Sequence, residues 1–137
     1  MPCKNCAEKP VIKLTNTNIQ LCKKHFIRYF ERKVLNAVHN YKLIEKEDRI
    51  GVAVSGGKDS LTVLNILNML KEKTKKFEIE AIAIDEGISG YRDKTLQDAE
   101  KYCQEHDIKL HIFSYKDEFG DTLDNMLKKT KYKGIML

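Results

Sequence analysis

The stretch VAVSGGKDSL, residues 52–61, decides the fold. A short apolar run leads into serine, two glycines and a lysine, and a leucine-rich segment follows. This is the pattern of a buried strand entering a helix through a glycine turn. Such a turn suits an anion. Gly56 and Gly57 let the backbone approach closely with N–H groups inward, and the helix that follows directs its positive end at the loop. Ser55 and Ser60 add hydroxyls, and Lys58 adds a full charge. Register excludes the Walker A loop, because its first glycine would fall on Val52 and its magnesium-binding hydroxyl on Asp59. The dinucleotide fingerprint also fails, since no third glycine opens the helix. An aspartate beside a polyphosphate repels it unless a cation intervenes, so Asp59 is expected to hold Mg²⁺ on the phosphates, directly or through water.

Working outward, the chain alternates strand and helix patterns after residue 49. Residues 50–55, 78–85 and 108–114 read as strands. Residues 59–73 read as a helix carrying Leu61, Leu64, Ile66, Leu67 and Leu70, entered at Asp59 or Ser60 as cap. Residues 93–106 read as a helix with Leu96, Ala99, Tyr102 and Cys103 inward, and a further helix starts at 121. This order implies a parallel sheet with right-handed crossovers. In such sheets the first strand usually lies centrally and ligands bind at its carboxyl end, where strand order reverses. No later strands follow here to sit beyond it. The sequence is therefore expected to hold the front half of a larger domain.

Ahead of residue 49 the texture differs. Residues 1–25 have little apolar periodicity and cannot bury a core. They carry Cys3, Cys6, Cys22 and His25 in a C-x2-C-x15-C-x2-H arrangement. Two pairs at this spacing offer four ligands to one tetrahedral zinc ion, a closed and therefore structural site. Metal would supply the folding energy that the segment lacks. Residues 26–46 place Phe26, Phe30, Val34, Val38 and Tyr41 at helical spacing, widened by Ile27 and Leu35, which predicts one long amphipathic helix. The expected organisation is a zinc finger over 1–25, a connecting helix over 26–48 and the N-terminal part of a phosphate-binding domain over 49–137. The expected fold class is α/β, with the finger and long helix ahead of a half-domain of parallel, Rossmann-like sheet.

Charge follows the same division. Residues 1–49 hold 11 Lys+Arg against 5 Asp+Glu, whereas residues 50–137 hold 14 against 15. A nucleic-acid-facing module joined to a neutral catalytic half has this asymmetry, and so does a solvated basic helix. Lys4, Lys23, Lys24 and Arg28 crowd the cysteine cluster, where a phosphate backbone is a plausible partner. No apolar run is long enough to span a bilayer, and the N-terminus lacks the apolar region of a secretory signal, so the cytoplasm is the expected compartment and no membrane partner is expected.

The SGGKDS loop after an apolar strand resembles the PP-loop of the N-type ATP pyrophosphatases, which have the adenine nucleotide alpha-hydrolase fold. With the N-terminal C-x2-C…C-x2-H, the long helix and DEGISGYRDKTL at 85–96, the chain is similar to the TtuA/TtcA group of tRNA 2-thiolation enzymes. The resemblance implies an ATP-dependent tRNA uridine 2-sulfurtransferase, which adenylates the uridine C2 oxygen before sulfur displaces AMP. It assigns zinc to Cys3, Cys6, Cys22 and His25, and ATP to Ser55, Gly56, Gly57, Lys58, Asp59 and Ser60. Backbone at Ala53, Val54 and Ile84 would flank the adenosine, with Lys58 and Asp59 as catalytic residues acting on pyrophosphate and Mg²⁺. It further implies tRNA, a ubiquitin-like sulfur-carrier protein and a homodimer as partners. A 4Fe-4S cluster belongs to the full-length family pattern, but the C-x-x-C that would hold it is absent, so this piece alone is expected to be inactive. Two alternatives stay open: a non-catalytic zinc- and ATP-binding piece, and a lysidine-synthetase-type ligase, against which the finger argues.

Other residues carry lesser expectations. Asp85 and Glu86 end a strand at the ligand-facing edge and suit metal or ribose contact, or simple solvation. Tyr91 and Arg92 suit stacking on a base or loop packing. Cys103 is expected to be buried rather than reactive. His39, His106 and His111 have no partner at catalytic spacing and are expected to be structural. Lys128, Lys129, Lys131 and Lys133 suit RNA contact or solubility.

Overall fold

A computed structural model describes residues 2–88 and 91–129, without the side chains of residues 91–93 and 127. Two compact units divide the chain, residues 1–45 and 46–137. The second is built outward from its sheet. Strands β3 (Arg49–Ala53), β4 (Glu78–Asp85) and β5 (Leu110–Ser114) lie parallel in the order β3-β4-β5. Helix α2 (Lys58–Thr74) connects the first two and α3 (Tyr91–Glu105) the next two. As expected, β3 forms an edge of the sheet among the described residues. A short α4 (Tyr115–Phe119) follows β5 directly, and α5 (Leu123–Lys129) closes the described chain.

Alternation along β4 sorts the two sheet faces. Ile79, Ala81 and Ala83 are buried, and they share a core with Leu64, Ile66 and Leu70 of α2 and Ala99 and Cys103 of α3. The opposite face carries Ala53, Ile82, Ile84 and Phe113, paired in register across the strands and substantially exposed. Small residues at Ala81 and Ala83 let the helices approach closely. Each large side chain that fills the remaining space contributes about 2 kcal/mol of transfer free energy.

The first unit has a different plan. A two-stranded antiparallel hairpin joins β1 (Ile12–Lys13) to β2 (Gln20–Leu21). No sequence pattern announces this ribbon, because each strand is two residues long and shows no alternation. Helix α1 (Lys23–Asn40) begins at the Cys22 cap, three residues earlier than the apolar stripe suggests, and ends before Tyr41. Its end is a Schellman motif: Lys42 is left-handed at φ 50°, and the Lys42 and Leu43 N–H groups donate to His39 and Val38 carbonyls at 3.3 and 3.0 Å. A lysine stands where glycine normally signals that stop, so the expected extension to residue 46 is not realised. Because α1 starts at one cluster residue and carries another, the cluster and the helix fall together in the first unit.

Candidate functional site

The Cys/His cluster is assembled from three pieces. A turn with Cys6 N–H donating to Cys3 C=O at 3.3 Å brings the first two cysteines together. The Lys4 N–H donates to Gln20 C=O at 2.9 Å, which ties that turn to β2. Cys22 then follows β2 directly, and His25 lies in the first turn of α1. His25 Nδ1 lies 3.5, 3.4 and 3.2 Å from the sulfurs of Cys3, Cys6 and Cys22, and the Cys6 and Cys22 sulfurs are 3.7 Å apart. All four donor atoms fall within 4.8 Å of one another. A tetrahedron with metal–sulfur bonds of about 2.3 Å has edges of about 3.8 Å. The donor set therefore fits one four-coordinate ion.

The thiols behave as a coupled group. Burial acts to raise Cys3, but backbone hydrogen bonds with Cys22 and Asn5 and the neighbouring thiols hold it at about 6. At Cys22 the His25 backbone acts downward, yet burial, Glu8 and the adjacent thiols push it up to about 11. Thiolates this close cannot all ionise without a cation among them. The fourth cysteine, Cys103 on the inner face of α3, is 2 % exposed and its thiol is raised by burial, as expected of a packing residue. Three cysteines thus belong to the cluster and the fourth is buried, which leaves no further cysteine in this sequence for a second ligand set.

The glycine loop lies at the carboxyl end of β3. Gly56 is left-handed at φ 78°, and a Cβ there would stand 1.8 Å from the Thr95 carbonyl oxygen of α3. Only glycine fits. Gly57 has extended backbone, and a Cβ would meet nothing nearer than the Ser55 hydroxyl at 3.5 Å. Gly57, rather than Asp59 or Ser60, caps α2, so the helix starts at Lys58. Ser60 instead closes the loop from the first turn. Its Oγ accepts from the Ser55 N–H at 3.2 Å, lies 3.2 Å from Ser55 Oγ and donates to Gly57 C=O at 3.0 Å. The N–H groups of Lys58, Asp59 and Ser60 have no intrahelical acceptor and converge at the positive helix end. The Lys58 and Asp59 side chains are both exposed beside them. Ala53 and Ile84 lie near the carboxyl ends of β3 and β4 on the exposed sheet face, whereas the Val54 side chain is buried and its N–H donates to Ile82 C=O at 2.8 Å.

The neighbouring strand ends are also tied. Asp85 Oδ1 accepts from the Gly87 N–H at 2.9 Å, and Glu86 C=O accepts from the Leu123 N–H at 2.9 Å. Asp85 thus has a turn-forming task in this structure. Lys129 contacts Asp121 at 2.5 Å, and Lys131 and Lys133 lie outside the described residues. The side chains of Tyr91 and Arg92 lie outside them as well. His106 stacks on Tyr102 with centroids 4.2 Å apart, and the Tyr102 hydroxyl donates to Asn65 at 2.8 Å. His111 meets Glu80 at 2.7 Å across β4 and β5, a cross-strand contact of the structural kind expected for it, and Arg49 reaches Glu80 at 3.2 Å. Only parallel register brings residues 31 apart together here, and no spacing rule in the sequence signals it. A hollow of about 220 Å³ between Arg49, Gly51, Glu80 and Ile82 is centred toward the amino ends of the strands, away from the loop. The strand-end rule favours the loop for a ligand.

With this geometry in view, the comparisons define a class. Residues 26–136 match the model of the PP-loop domain, and the chain belongs to that family. It is 42% identical over 120 residues to the tRNA-5-methyluridine(54) 2-sulfurtransferase of Pyrococcus horikoshii, covering 88% of this chain and 37% of that protein. It is 33% identical over 133 residues to the cytoplasmic tRNA 2-thiolation protein 1 of Xenopus laevis, covering 96% of this chain and 39% of that one. Among solved structures it resembles the U34-tRNA thiolase NcsA from Methanococcus maripaludis with its [4Fe-4S] cluster, at TM-score 0.79 and 31% identity over 97% of this chain and 44% of that chain. An NH3-dependent NAD synthetase from Campylobacter jejuni shares the fold at TM-score 0.50, 20% identity. The chain thus spans well under half the length of the relatives named here. No helix among the described residues is long and apolar enough to cross a membrane.

Proposed function

We propose that this chain supplies the ATP site and the metal-stapled RNA-facing module of a cytoplasmic, ATP-dependent tRNA uridine 2-sulfurtransferase. The observation that carries the reading is the loop at 55–60. It is a glycine turn closed by Ser55 and Ser60 at the positive end of α2, with Lys58 and Asp59 exposed beside it, in a chain of the PP-loop family. Loop N–H groups and Lys58 neutralise the β- and γ-phosphates, and Mg²⁺ bound near Asp59 would stabilise charge on the departing pyrophosphate. Ala53, Val54 and Ile84 flank the adenosine. The uridine C2 oxygen attacks the α-phosphorus, the bond to the bridging oxygen breaks, and pyrophosphate leaves. Sulfur then replaces the adenylated oxygen, releasing AMP.

Zinc at Cys3, Cys6, Cys22 and His25 has a structural role, since all four ligands come from protein and no position stays open. Cys103 is buried and the remaining cysteines are committed, so sulfur arrives from a group outside this chain, either an iron–sulfur centre or a ubiquitin-like sulfur carrier. By itself the chain binds ATP without completing thiolation. Calorimetric titration of the Mg²⁺–ATP complex tests the loop: Lys58→Ala should weaken binding at least about tenfold, the scale of one charge-assisted hydrogen bond, while helix content stays unchanged. Equal affinities would refute the phosphate assignment.

A further inference from the structure

A groove of about 380 Å³ crosses the first unit, and none of the sites above uses it. One wall is α1, which contributes Arg28, Tyr29 and Arg32. The other is the cysteine turn, which contributes Lys4 and Asn5. Leu14, Ile19 and Leu21 of the hairpin lie between them, and His25 borders the metal cluster. No carboxylate lines the groove, and none among the described residues pairs with Lys4, Arg28 or Arg32. Residues 1–45 hold nine Lys+Arg against three Asp+Glu, so the local field is positive as well. The three cations are exposed, whereas Tyr29 is half-buried against the Cys3–Leu21–Cys22 core. Lys33 lies over its ring, 5.6 Å from the centroid.

We infer that this groove seats an unpaired nucleotide of RNA, with its base on Tyr29 and the flanking phosphates on Lys4, Arg28 and Arg32. The inference rests on the proposed function only for RNA as the class of partner. Cations alone would suit any polyanion. An aromatic side chain beside two guanidinium groups, with apolar lining and an amide at Asn5, suits a base whose face and edge are both free. Paired bases hide those faces, so duplex would gain only the phosphate contacts. An acidic peptide would use the cations and leave the ring and floor unmatched. Arg28 and Arg32 lie one turn apart on the same helix face, which lets both reach one short run of backbone.

The test is fluorescence anisotropy of the full, metal-loaded chain with a labelled single-stranded RNA of about a dozen mixed-sequence nucleotides and with the same strand fully paired. Tyr29→Leu should weaken single-strand binding about tenfold and leave duplex binding unchanged, and Tyr29→Phe should restore it. A double Arg28→Gln, Arg32→Gln variant should weaken both RNAs and flatten the single-strand salt slope by about 1.4. Lys101→Gln, an exposed cation of the second unit, should change neither. Metal content and circular dichroism confirm that each variant folds. If Tyr29→Leu loses metal, the arginine pair and Lys4→Gln, all at exposed positions, carry the test.

Three results would overturn the inference: single-strand affinity unchanged in the arginine pair, equal loss for duplex and single strand in Tyr29→Leu, or displacement of RNA by poly-glutamate at equal charge. ATP binding by Lys58→Ala is read on the other unit. The groove can therefore fail while the loop assignment stands, and the reverse.

Discussion

The two units solve the same problem by different chemistry. In residues 46–137, a three-stranded sheet and its helices bury Leu64, Ile79, Ala81, Ala99 and Cys103 almost completely, and the polar loop sits at the rim of that core. In residues 1–45 the buried apolar residues are Cys3, Leu21 and Cys22, two of them in the ligand cluster, and α1 buries no residue fully. Ordering a chain of that size costs far more conformational entropy than so small a core returns. A metal ion held by Cys3, Cys6, Cys22 and His25 would make up the difference. Stability in the first unit would then be a coordination property, whereas in the second it is a packing property.

The largest expected effect breaks this contrast most directly. Chelation, or Cys22→Ser, should remove a contribution on the order of 10 kcal/mol from the first unit and little from the second. Amide exchange would show it as lost protection in β2 and α1 with β4 still protected. Retained protection in β2 without metal would break the comparison. Next, Leu64→Ala should cost about 3 kcal/mol in chemical denaturation of the second unit, because its side chain is 0% exposed and the surrounding sheet cannot collapse around the void. Metal affinity in the first unit should stay unchanged.

Third, the two loop glycines should differ. Gly56→Ala combines a left-handed backbone with a clash against the Thr95 carbonyl and should cost roughly 3 kcal/mol. Gly57→Ala keeps an allowed backbone and should cost less than about 1 kcal/mol, so denaturation midpoints should separate the pair clearly.

The smallest effect is electrostatic. Hydrogen bonding from Lys129, with help from Asn125 and the Thr122 N–H, lowers the Asp121 carboxyl from 3.8 to about 2. A depressed carboxylate stabilises the fold above its unfolded value, and that contribution is lost as pH falls from about 3.8 through about 2. Protection factors of the α5 amides, taken relative to intrinsic exchange, should therefore fall across that window in the wild type and stay nearly flat in Asp121→Asn. An identical pH response in both would remove Asp121 from the account.

The strand over 78–85 was legible residue by residue, because alternation and a glycine stop coincide there. The grouping of Cys3, Cys6, Cys22 and His25 was equally legible, since pairs at short spacing come together whatever the fold around them. Element ends were less so. Lys42 and Lys75 adopt left-handed backbone where glycine would have announced a stop, and Gly57 caps α2 without a side chain. The short α4 went unforeseen because five residues cannot establish a helical period.

What the sequence determined by itself is chemistry carried by neighbours along the chain: the Cys/His set, the serine–glycine–lysine–aspartate loop, the parallel α/β order and the basic first third. Periodicity and short spacing express local geometry, and local geometry survives without knowledge of the fold. Contacts between distant residues were decided only by tertiary structure. Thr95 makes Gly56 obligatory, Glu80 finds His111 and Arg49 across the sheet, and Lys4 faces Arg28 over one groove. Such pairs depend on strand register and helix docking, which the packing of the whole unit sets and no single segment encodes.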